Sequence, residues 1–243
     1  MNLIVQFKWN EIYIKYAMGA AELQPEHKQL IIHSHFVFYG SAATPELTAQ
    51  LREETETLWN EPKAQVQWRD HLITVNFRIT ASVQPIISDL EVYQNVDPRN
   101  NFFRIEPFIL GNISFVDGVG CNSGYFLLEN LYAGSTTAAH EYGHTLGLDH
   151  PHNLDLRGLG RPGIMYPRGT LVDPEFQYDP AVPAGLKGGT MHPMHRRVLT
   201  SDVHQLKLHR LRFENRFAVV GEFTNVFHED HRTAGGGQAS PMA

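Results

Sequence analysis

The order of secondary-structure signals along the sequence predicts a layered domain of mixed α/β or α+β class. A strand that is apolar on both faces comes first, at residues 30–40, and a capped helix follows it at residues 44–60. After these, an alternating strand at residues 71–83 and several shorter ones lead to a histidine-rich helix near residue 140. The chain has 243 residues, 42% of them hydrophobic, which is enough to bury a core of this kind.

The first of these strands, LIIHSHFVFYG, is typical of a central position in a sheet, because both of its faces are largely apolar. His33 and His35 share a face with Ile31. We interpret both as packed or surface histidines, since an isolated histidine pair on a strand is a weak signal for metal binding. The two short strand-like pieces before this strand are assigned to an N-terminal extension, residues 1–27.

The helix at residues 44–60 has a well-defined beginning. Thr44 is a suitable N-cap, Pro45 fits the first helical position and Glu46 suits the positive end of the helix dipole. Four apolar side chains are predicted to form a stripe along one side of the helix: Leu47, Leu51, Leu58 and Trp59. Three acidic side chains are assigned to its opposite, solvated face: Glu53, Glu54 and Glu56.

Shorter strands are predicted between this helix and the histidine-rich one. The alternation at residues 71–83 indicates a strand with one buried face, and residues 101–108 and 112–116 have the pattern of further strands. A glycine-rich turn at residues 117–124 leads into the last strand. Cys121 in this turn is the single cysteine, so no internal disulfide can form, and we expect a small, partly buried thiol.

The overall charge and the N-terminal sequence exclude several function classes. A net charge of −6 does not fit the basic face that nucleic-acid binding requires, and no apolar run has the length of a membrane-spanning helix. Lys8 and Glu11 interrupt the apolar N-terminus, which therefore lacks the pattern of a secretory signal. We expect a monomer that binds neither nucleic acid nor membrane and that is cytoplasmic or exported by a leaderless route.

HEYGHTLGLDH, residues 140–150, has the spacing of a metal site. On a helix, His140 and His144 project from one face, one turn apart, so that both imidazoles can reach one zinc ion. Gly147 allows the helix to end in a left-handed turn, after which His150 can return as a third ligand. Three protein ligands leave one position for water, which is the arrangement of a catalytic zinc site.

Glu141 follows the first ligand directly, where it can hold a water on the metal without coordinating the ion itself. We assign it the role of general base, which takes a proton from the water and later delivers it to the leaving amine. Ser135 or Thr136 is the expected cap of the helix. The alternatives are a capped surface helix with spare histidines and a degenerate site that binds metal without turnover.

At these residues the sequence resembles the metzincin clan of zinc metallopeptidases, whose signature H-E-x-x-H-x-x-G-x-x-H is followed by a methionine-containing turn. GIMYPRG, residues 163–169, supplies Met165, which in the clan lies beneath the zinc-bound imidazoles. The Ile-Met-Tyr-Pro sequence of this turn resembles that of matrix metalloproteinases, and Pro151, directly after the last ligand, resembles the serralysin group. The clan's closing helix matches residues 200–211, with Thr200 as its cap.

The resemblance implies an α+β catalytic domain in which a mixed twisted sheet, a backing helix, the active-site helix and a C-terminal helix surround a zinc cleft. This domain would span residues 28–230, with an upper lobe to about residue 150 and a lower lobe at residues 151–230. Residues 231–243 are expected to form a flexible tail. The implied cofactor is Zn²⁺, and the implied activity is endopeptidase hydrolysis of protein or peptide substrates.

Two departures from the clan concern the substrate pocket. Pro167 stands where serralysins and astacins carry a tyrosine that approaches the zinc, so this role is not transferred to Tyr166. Gly169 stands where matrix metalloproteinases have a tyrosine that walls the specificity pocket. Tyr166 and Pro167 remain our assignment for the pocket, ahead of an insertion at residues 168–195. Three further histidines are expected to make only solvent or loop contacts: His152, His192 and His195.

Two other function classes fit the same sequence. A zinc-binding pseudo-protease or interaction module would hold metal and cleave nothing, although the intact Glu141 speaks against it. A narrow-specificity, effector-like protease would cut one protein partner, which fits the missing signal peptide and propeptide. For any peptidase of this kind, we expect the substrate to lie extended along an edge strand near residues 112–120.

Overall fold

In the computed structural model, which describes residues 20–222 and 224–234, the chain folds around one mixed sheet of eight strands. The strands are β1 (Ala21–Gln24), β2 (Gln29–Tyr39), β3 (Gln65–Trp68), β4 (His71–Val83), β5 (Asn100–Glu106), β6 (Phe115–Val116), β7 (Ser123–Leu127) and β8 (Phe217–Ala218). The helices are α1 (Pro45–Asn60), α2 (Asp89–Tyr93), α3 (Thr137–Thr145), α4 (Thr200–Gln205) and α5 (His231–Ala234). The sheet and the helices form an α+β fold, which confirms the predicted class.

The predicted central strand lies in the middle of the sheet. β2 pairs in parallel with β4 on one side and with β5 on the other. β7 continues in parallel with β5, and β6 closes that edge by pairing antiparallel with β7. At the opposite edge, β3 pairs antiparallel with β4. The order β3-β4-β2-β5-β7-β6 therefore leaves β6 as an edge strand, inside the segment where we expect the substrate to bind.

β1 and β8 extend the sheet beside the first half of β2. β1 forms an antiparallel hairpin with β2 in which Ala21 lies opposite Ile32, and β8 pairs with β1. The domain boundary predicted at residue 28 thus falls in the turn of a hairpin, and β1 belongs to the sheet and not to a separate extension. The strand-like pieces predicted earlier in the chain, within residues 1–19, lie outside the described residues.

The two histidines of β2 are packed, as the sequence predicts. His33 Nε2 lies 2.8 Å from a carboxylate oxygen of Glu22 on β1. The ring nitrogens of His35 lie 2.8 and 3.0 Å from the hydroxyls of Thr80 and Ser82 on β4. Both side chains thus help to hold neighbouring strands together.

The backing helix forms with its expected cap, and two of its half-exposed acidic side chains bind backbone N–H groups of other elements. The N–H of Leu47 donates to Thr44 Oγ1 at 3.2 Å, which satisfies one free donor of the first turn. Glu54 accepts the backbone N–H of Thr136 at 3.1 Å, and Glu56 accepts a backbone N–H of β4 at 2.7 Å. Both side chains are half-exposed, so this face is partly solvated as predicted, and it also binds N–H groups from elsewhere in the fold.

Buried aromatic side chains attach α3 to the sheet and to the backing helix. Trp59 Nε1 donates to the backbone oxygen of Ala139 at 3.0 Å. The Tyr142 hydroxyl lies 2.7 Å from Ser34 Oγ on β2, and its ring packs edge-on against Phe36 and Trp59. Rings packed at such angles, together with satisfied polar tips, specify one orientation of the helix. The face of α3 that carries the histidines is fixed in this way.

The closing helix is shorter than the sequence predicts. α4 ends at Gln205, because Lys207 adopts a left-handed φ of 52° and a 3₁₀ turn follows. Thr200 is not its cap. The N-cap position belongs to Leu199, whose backbone N–H donates to the Asp202 carboxylate at 2.7 Å.

The insertion predicted at residues 168–195 packs around a small apolar cluster of its own. Leu156, Val172 and Met191 are buried in this cluster, and Tyr166 packs against it. Two of the three histidines assigned to solvent or loop contacts pack against aromatic rings of the same region. His192 packs against Tyr178, and His195 packs against Phe176. The third, His152, is exposed.

The remaining expectations concern the thiol, the tail and membrane spans. Cys121 is free and buried, with 8% of its surface exposed, as predicted. Residues 231–234 of the predicted flexible tail form α5, where His231 Nδ1 accepts the N–H of Leu110 at 3.1 Å. Residues 235–243 lie outside the described residues. In the described ranges, no helix combines the length and apolarity needed to cross a membrane.

Candidate metal centre

The beginning of α3 depends on side chains from distant parts of the chain. Of the two predicted caps, Ser135 Oγ accepts the N–H of Thr137 at 3.3 Å. Thr136 has a left-handed φ of 58° and forms no side-chain cap. Its own N–H donates to the Glu54 carboxylate, so the backing helix supplies the acceptor that the local sequence lacks.

The end of α3 follows the sequence prediction. Gly147 has a φ of 99°, a left-handed conformation that glycine adopts without a steric penalty. The N–H of Leu148 then donates to the backbone oxygen of Gly143 at 3.0 Å, which closes the turn. This reversal brings His150 back toward the helix.

The three predicted metal ligands converge on one point. His150 Nε2 lies 3.1 Å from His140 Nε2 and 3.1 Å from His144 Nε2. Among the described residues, these three histidines form the one group of three or more potential ligands within 4.8 Å of one another. Tetrahedral coordination at the usual Zn–N distance would separate the nitrogens by about 3.3 Å. The spacing therefore fits a single tetrahedral metal ion.

The outer ring nitrogens of both helical histidines are held by backbone oxygens. His140 Nδ1 lies 2.7 Å from the oxygen of Ile164, and His144 Nδ1 lies 2.7 Å from the oxygen of Leu148. Because a carbonyl only accepts, each Nδ1 must carry the proton, which leaves each Nε2 lone pair free to bind a metal. Second contacts of this type orient the rings and raise their basicity as ligands.

All three histidines are held in the neutral form that metal binding requires. Burial is the main cause that lowers the pKa of His140 well below its usual value, and it also lowers the pKa values of His144 and His150. The positive charge of Arg196 adds to the effect on each ring. At neutral pH a metal ion therefore has no proton to displace from these nitrogens.

Glu141 is buried beside the ligands, with 6% of its surface exposed, and it lines the same cleft. Burial raises the pKa of its carboxyl group to about 8 in the metal-free protein. Arg196, Arg168 and the backbone N–H of Val116 oppose this rise. A cation bound by the histidines would favour the ionised carboxylate further. The group can therefore exchange a proton close to neutral pH.

The methionine of the predicted turn lies against the middle of α3. Met165 is buried, with 1% of its surface exposed, in the core cluster that also contains Tyr142. The preceding residue, Ile164, supplies the backbone oxygen that binds His140. The absence of a side chain at Gly143 creates the space for the methionine sulfur, because an added Cβ would lie 2.3 Å from it.

We expect Gly143→Ala to destabilise the protein by about 1–3 kcal/mol, despite the higher helix propensity of alanine. The new methyl would overlap Met165 and approach the ring of Trp59 at 3.2 Å, so the turn beneath the ligands would have to move. Urea unfolding of the metal-free protein measures the effect. Gly169→Ala is the matched control, since a Cβ there meets nothing within 4 Å. Equal stability of the two variants would contradict the predicted overlap.

A cleft of about 480 Å³ opens in front of the histidines. Phe115 and Val116 of the edge strand form one of its walls. Of the two residues assigned to the substrate pocket, Pro167 lines the cleft. Tyr166 does not line it and packs its ring against the apolar cluster of the insertion.

Two arginines of the cleft have no counterpart in the sequence prediction. Arg168 and Arg196 both line it, and Arg196 is buried. No sequence signal marks Arg196, which stands between a histidine and a second arginine as a solvated residue would. Only the folded insertion brings it to the beginning of α3.

Comparison with known proteins leaves the function to be argued from the site itself. No model of a known protein family matches the chain, and no curated protein matches it. Among solved structures, the chain is similar to the metallopeptidase myroilysin, with a TM-score of 0.35 and 10% sequence identity. The similarity covers 74% of this chain and 94% of myroilysin.

Proposed function

We propose that the protein is a zinc-dependent endopeptidase with a metzincin-like catalytic domain. The observation that carries this proposal is the convergence of three Nε2 atoms, from His140, His144 and His150, beside a buried glutamate in an open cleft. Neutral imidazoles with fixed outer nitrogens suit zinc among the divalent metals. Three protein ligands, with no fourth, are typical of catalytic and not of structural zinc sites.

The bound zinc would supply Lewis-acid chemistry, because it polarises a substrate carbonyl and brings the pKa of water toward neutrality. Glu141 accepts the proton of the attacking water and delivers it to the leaving amine as the peptide bond breaks. A carboxyl group whose pKa is raised by burial suits both transfers near neutral pH. The backbone N–H of Val116 faces this carboxylate and favours its ionised form.

The edge strand is the proposed binding surface for the peptide. Within the described strands, β6 pairs with β7 on one side only, so its outer edge, apart from the Val116 N–H that faces Glu141, is available for hydrogen bonds to an extended chain. Because Phe115 and Val116 also line the cleft, a peptide added at this edge would pass in front of the histidines. Pro167 would contact it from the opposite lobe.

The direct test is hydrolysis of a proteome-derived peptide library by the zinc-loaded protein, read by mass spectrometry. We expect new cleavage products that disappear with a chelator and return when zinc is restored. Stoichiometric zinc binding with no cleavage of peptides or intact proteins would instead indicate the pseudo-protease or interaction module. Cleavage of one intact protein and of no library peptide would indicate the narrow-specificity protease.

A further inference from the structure

A buried arginine lines the cleft and has no part in the reaction described above. Arg196 has only 3% of its surface exposed. Its Nε donates to Thr136 Oγ1 at 2.9 Å, and its terminal nitrogens donate to the backbone oxygens of Tyr166 at 3.2 Å and Ser135 at 3.4 Å. These bonds fix the guanidinium between the beginning of α3 and the turn that contains Met165.

All three acceptors are neutral, and the charge that most favours the Arg196 cation is the carboxylate of Glu141, which makes no ion pair with it within 4.0 Å. Among residues 20–222 and 224–234, no carboxylate oxygen lies within 4.0 Å of its guanidinium nitrogens. A guanidinium offers about five N–H donors, so the three bonds leave roughly two for a ligand. Burying a cation in this way is unfavourable unless a bound group supplies the opposite charge.

A second arginine lies in the same cleft. Arg168 directly follows Pro167, is exposed, and in the described parts of the chain makes no ion pair within 4.0 Å. The cleft also carries two carboxylates, Glu141 and Asp149. Glu141 is the proposed base, and Asp149 accepts the backbone N–H of His150 at 2.7 Å. Neither acid makes an ion pair within 4.0 Å with either arginine, although Glu141 lies close enough to interact electrostatically with both.

We propose that Arg196 and Arg168 form a subsite for a carboxylate of the substrate. This inference rests on the proposed peptidase function and adds a substrate class to it. The planar guanidinium of Arg196 matches the two oxygens of a carboxylate, and Arg168 at the surface adds a second charge. The carboxylate belongs either to an aspartate or glutamate side chain or to the C-terminus of the peptide, since both present the same two oxygens.

Affinity selection tests the subsite separately from catalysis. A library of N-acetylated hexapeptides, amidated in one arm and with a free C-terminus in the other, is incubated with the zinc-loaded Glu141→Gln protein. Retained peptides are sequenced by mass spectrometry. We expect acidic residues to be enriched over their amides at one position by roughly 10–100-fold, the range of hydrogen bonds to charged groups. Retention in the free C-terminal arm alone would assign the carboxylate to the chain end.

Charge variants identify the groups responsible. We expect Arg168→Glu to remove the acidic preference or to reverse it toward lysine, and Arg196→Gln to abolish it. The matched control is Arg212→Gln, because Arg212 is exposed and does not line the cleft. If Arg196→Gln fails to fold by thermal melting, Arg168→Glu decides the question.

The binding and cleavage results separate the two proposals. The carboxylate subsite would be overturned if acidic side chains were retained no better than their amides and free C-termini no better than amidated ones, or if the preference for a carboxylate were unchanged by Arg168→Glu. An acidic preference that depends on Arg168, in a protein whose wild type cleaves nothing, would support the subsite and count against the peptidase function alone.

Discussion

Replacing Glu141 with glutamine is expected to lower peptide hydrolysis by about 10²–10⁴-fold, the usual contribution of general acid–base catalysis. Glutamine has almost the same shape and can still accept the N–H of Val116, but it cannot take a proton from water. The rate of cleavage of any peptide that the wild type hydrolyses measures the effect. The zinc content should stay at the wild-type value, because the three ligands are histidines.

The control for this variant is Glu129→Gln, which makes the same chemical change at an exposed position that does not line the cleft. It should retain the wild-type rate. Hydrolysis by the Glu141 variant at the wild-type rate would refute the proposed base. Loss of zinc from that variant would show that the carboxylate acts as a metal ligand instead.

The same substitution should stabilise the metal-free protein at alkaline pH, which excludes unfolding as the cause of inactivity. Burial raises the pKa of Glu141 from 4.5 to about 8. The free energy of unfolding of the wild type therefore falls progressively as the pH rises from 4.5 to 8, because the unfolded chain ionises this carboxyl group more readily than the folded protein does. Glutamine avoids this loss. Urea unfolding should show that the variant exceeds the wild type in free energy of unfolding by as much as about 4 kcal/mol at pH 8 and by less than about 1 kcal/mol at pH 5.

The convergence of the three histidines could be predicted because its geometry is local. His140 and His144 share a helix face by spacing alone, and Gly147 marks the turn that returns His150. The central position of β2 was equally visible, since few strands are apolar on both faces. In each of these cases the residues that the sequence pattern places side by side are also neighbours in the structure.

Two of the features that escaped prediction depend on partners from distant parts of the chain, and a third is a local backbone conformation. Glu54 binds the N–H of Thr136, a contact that no pattern within α1 could indicate. Lys207 ends α4 early in a conformation more typical of glycine. Arg196 becomes buried only because the insertion folds back on the beginning of α3. The prediction therefore covered the histidine cluster and the adjacent Glu141 but missed the two arginines of the cleft.

Replacing His150 with glutamine is expected to weaken zinc binding by more than about 100-fold. Loss of an outer contact to a ligand costs about 10–100-fold, and loss of the ligand itself costs more. His150 is exposed and follows the helix, so its removal leaves the core intact. Competition with a chelator of known affinity measures the change. His152→Gln is the matched control, because His152 is also exposed and lies outside the ligand group.

Zinc-dependent stability should fall together with the affinity. At a saturating concentration, a 100-fold loss of affinity removes about 2.7 kcal/mol of stabilisation, which for a chain of this size lowers Tm by roughly 5–10 °C. The metal-free forms of wild type and variant should melt within a few degrees of each other, because His150 is exposed at the surface and, in the described part of the chain, packs only against the rings of His140 and His144. A variant that kept the wild-type affinity for zinc would show that only the two helical histidines bind the ion. An unaltered affinity would thereby remove the convergence on which the proposed peptidase function depends.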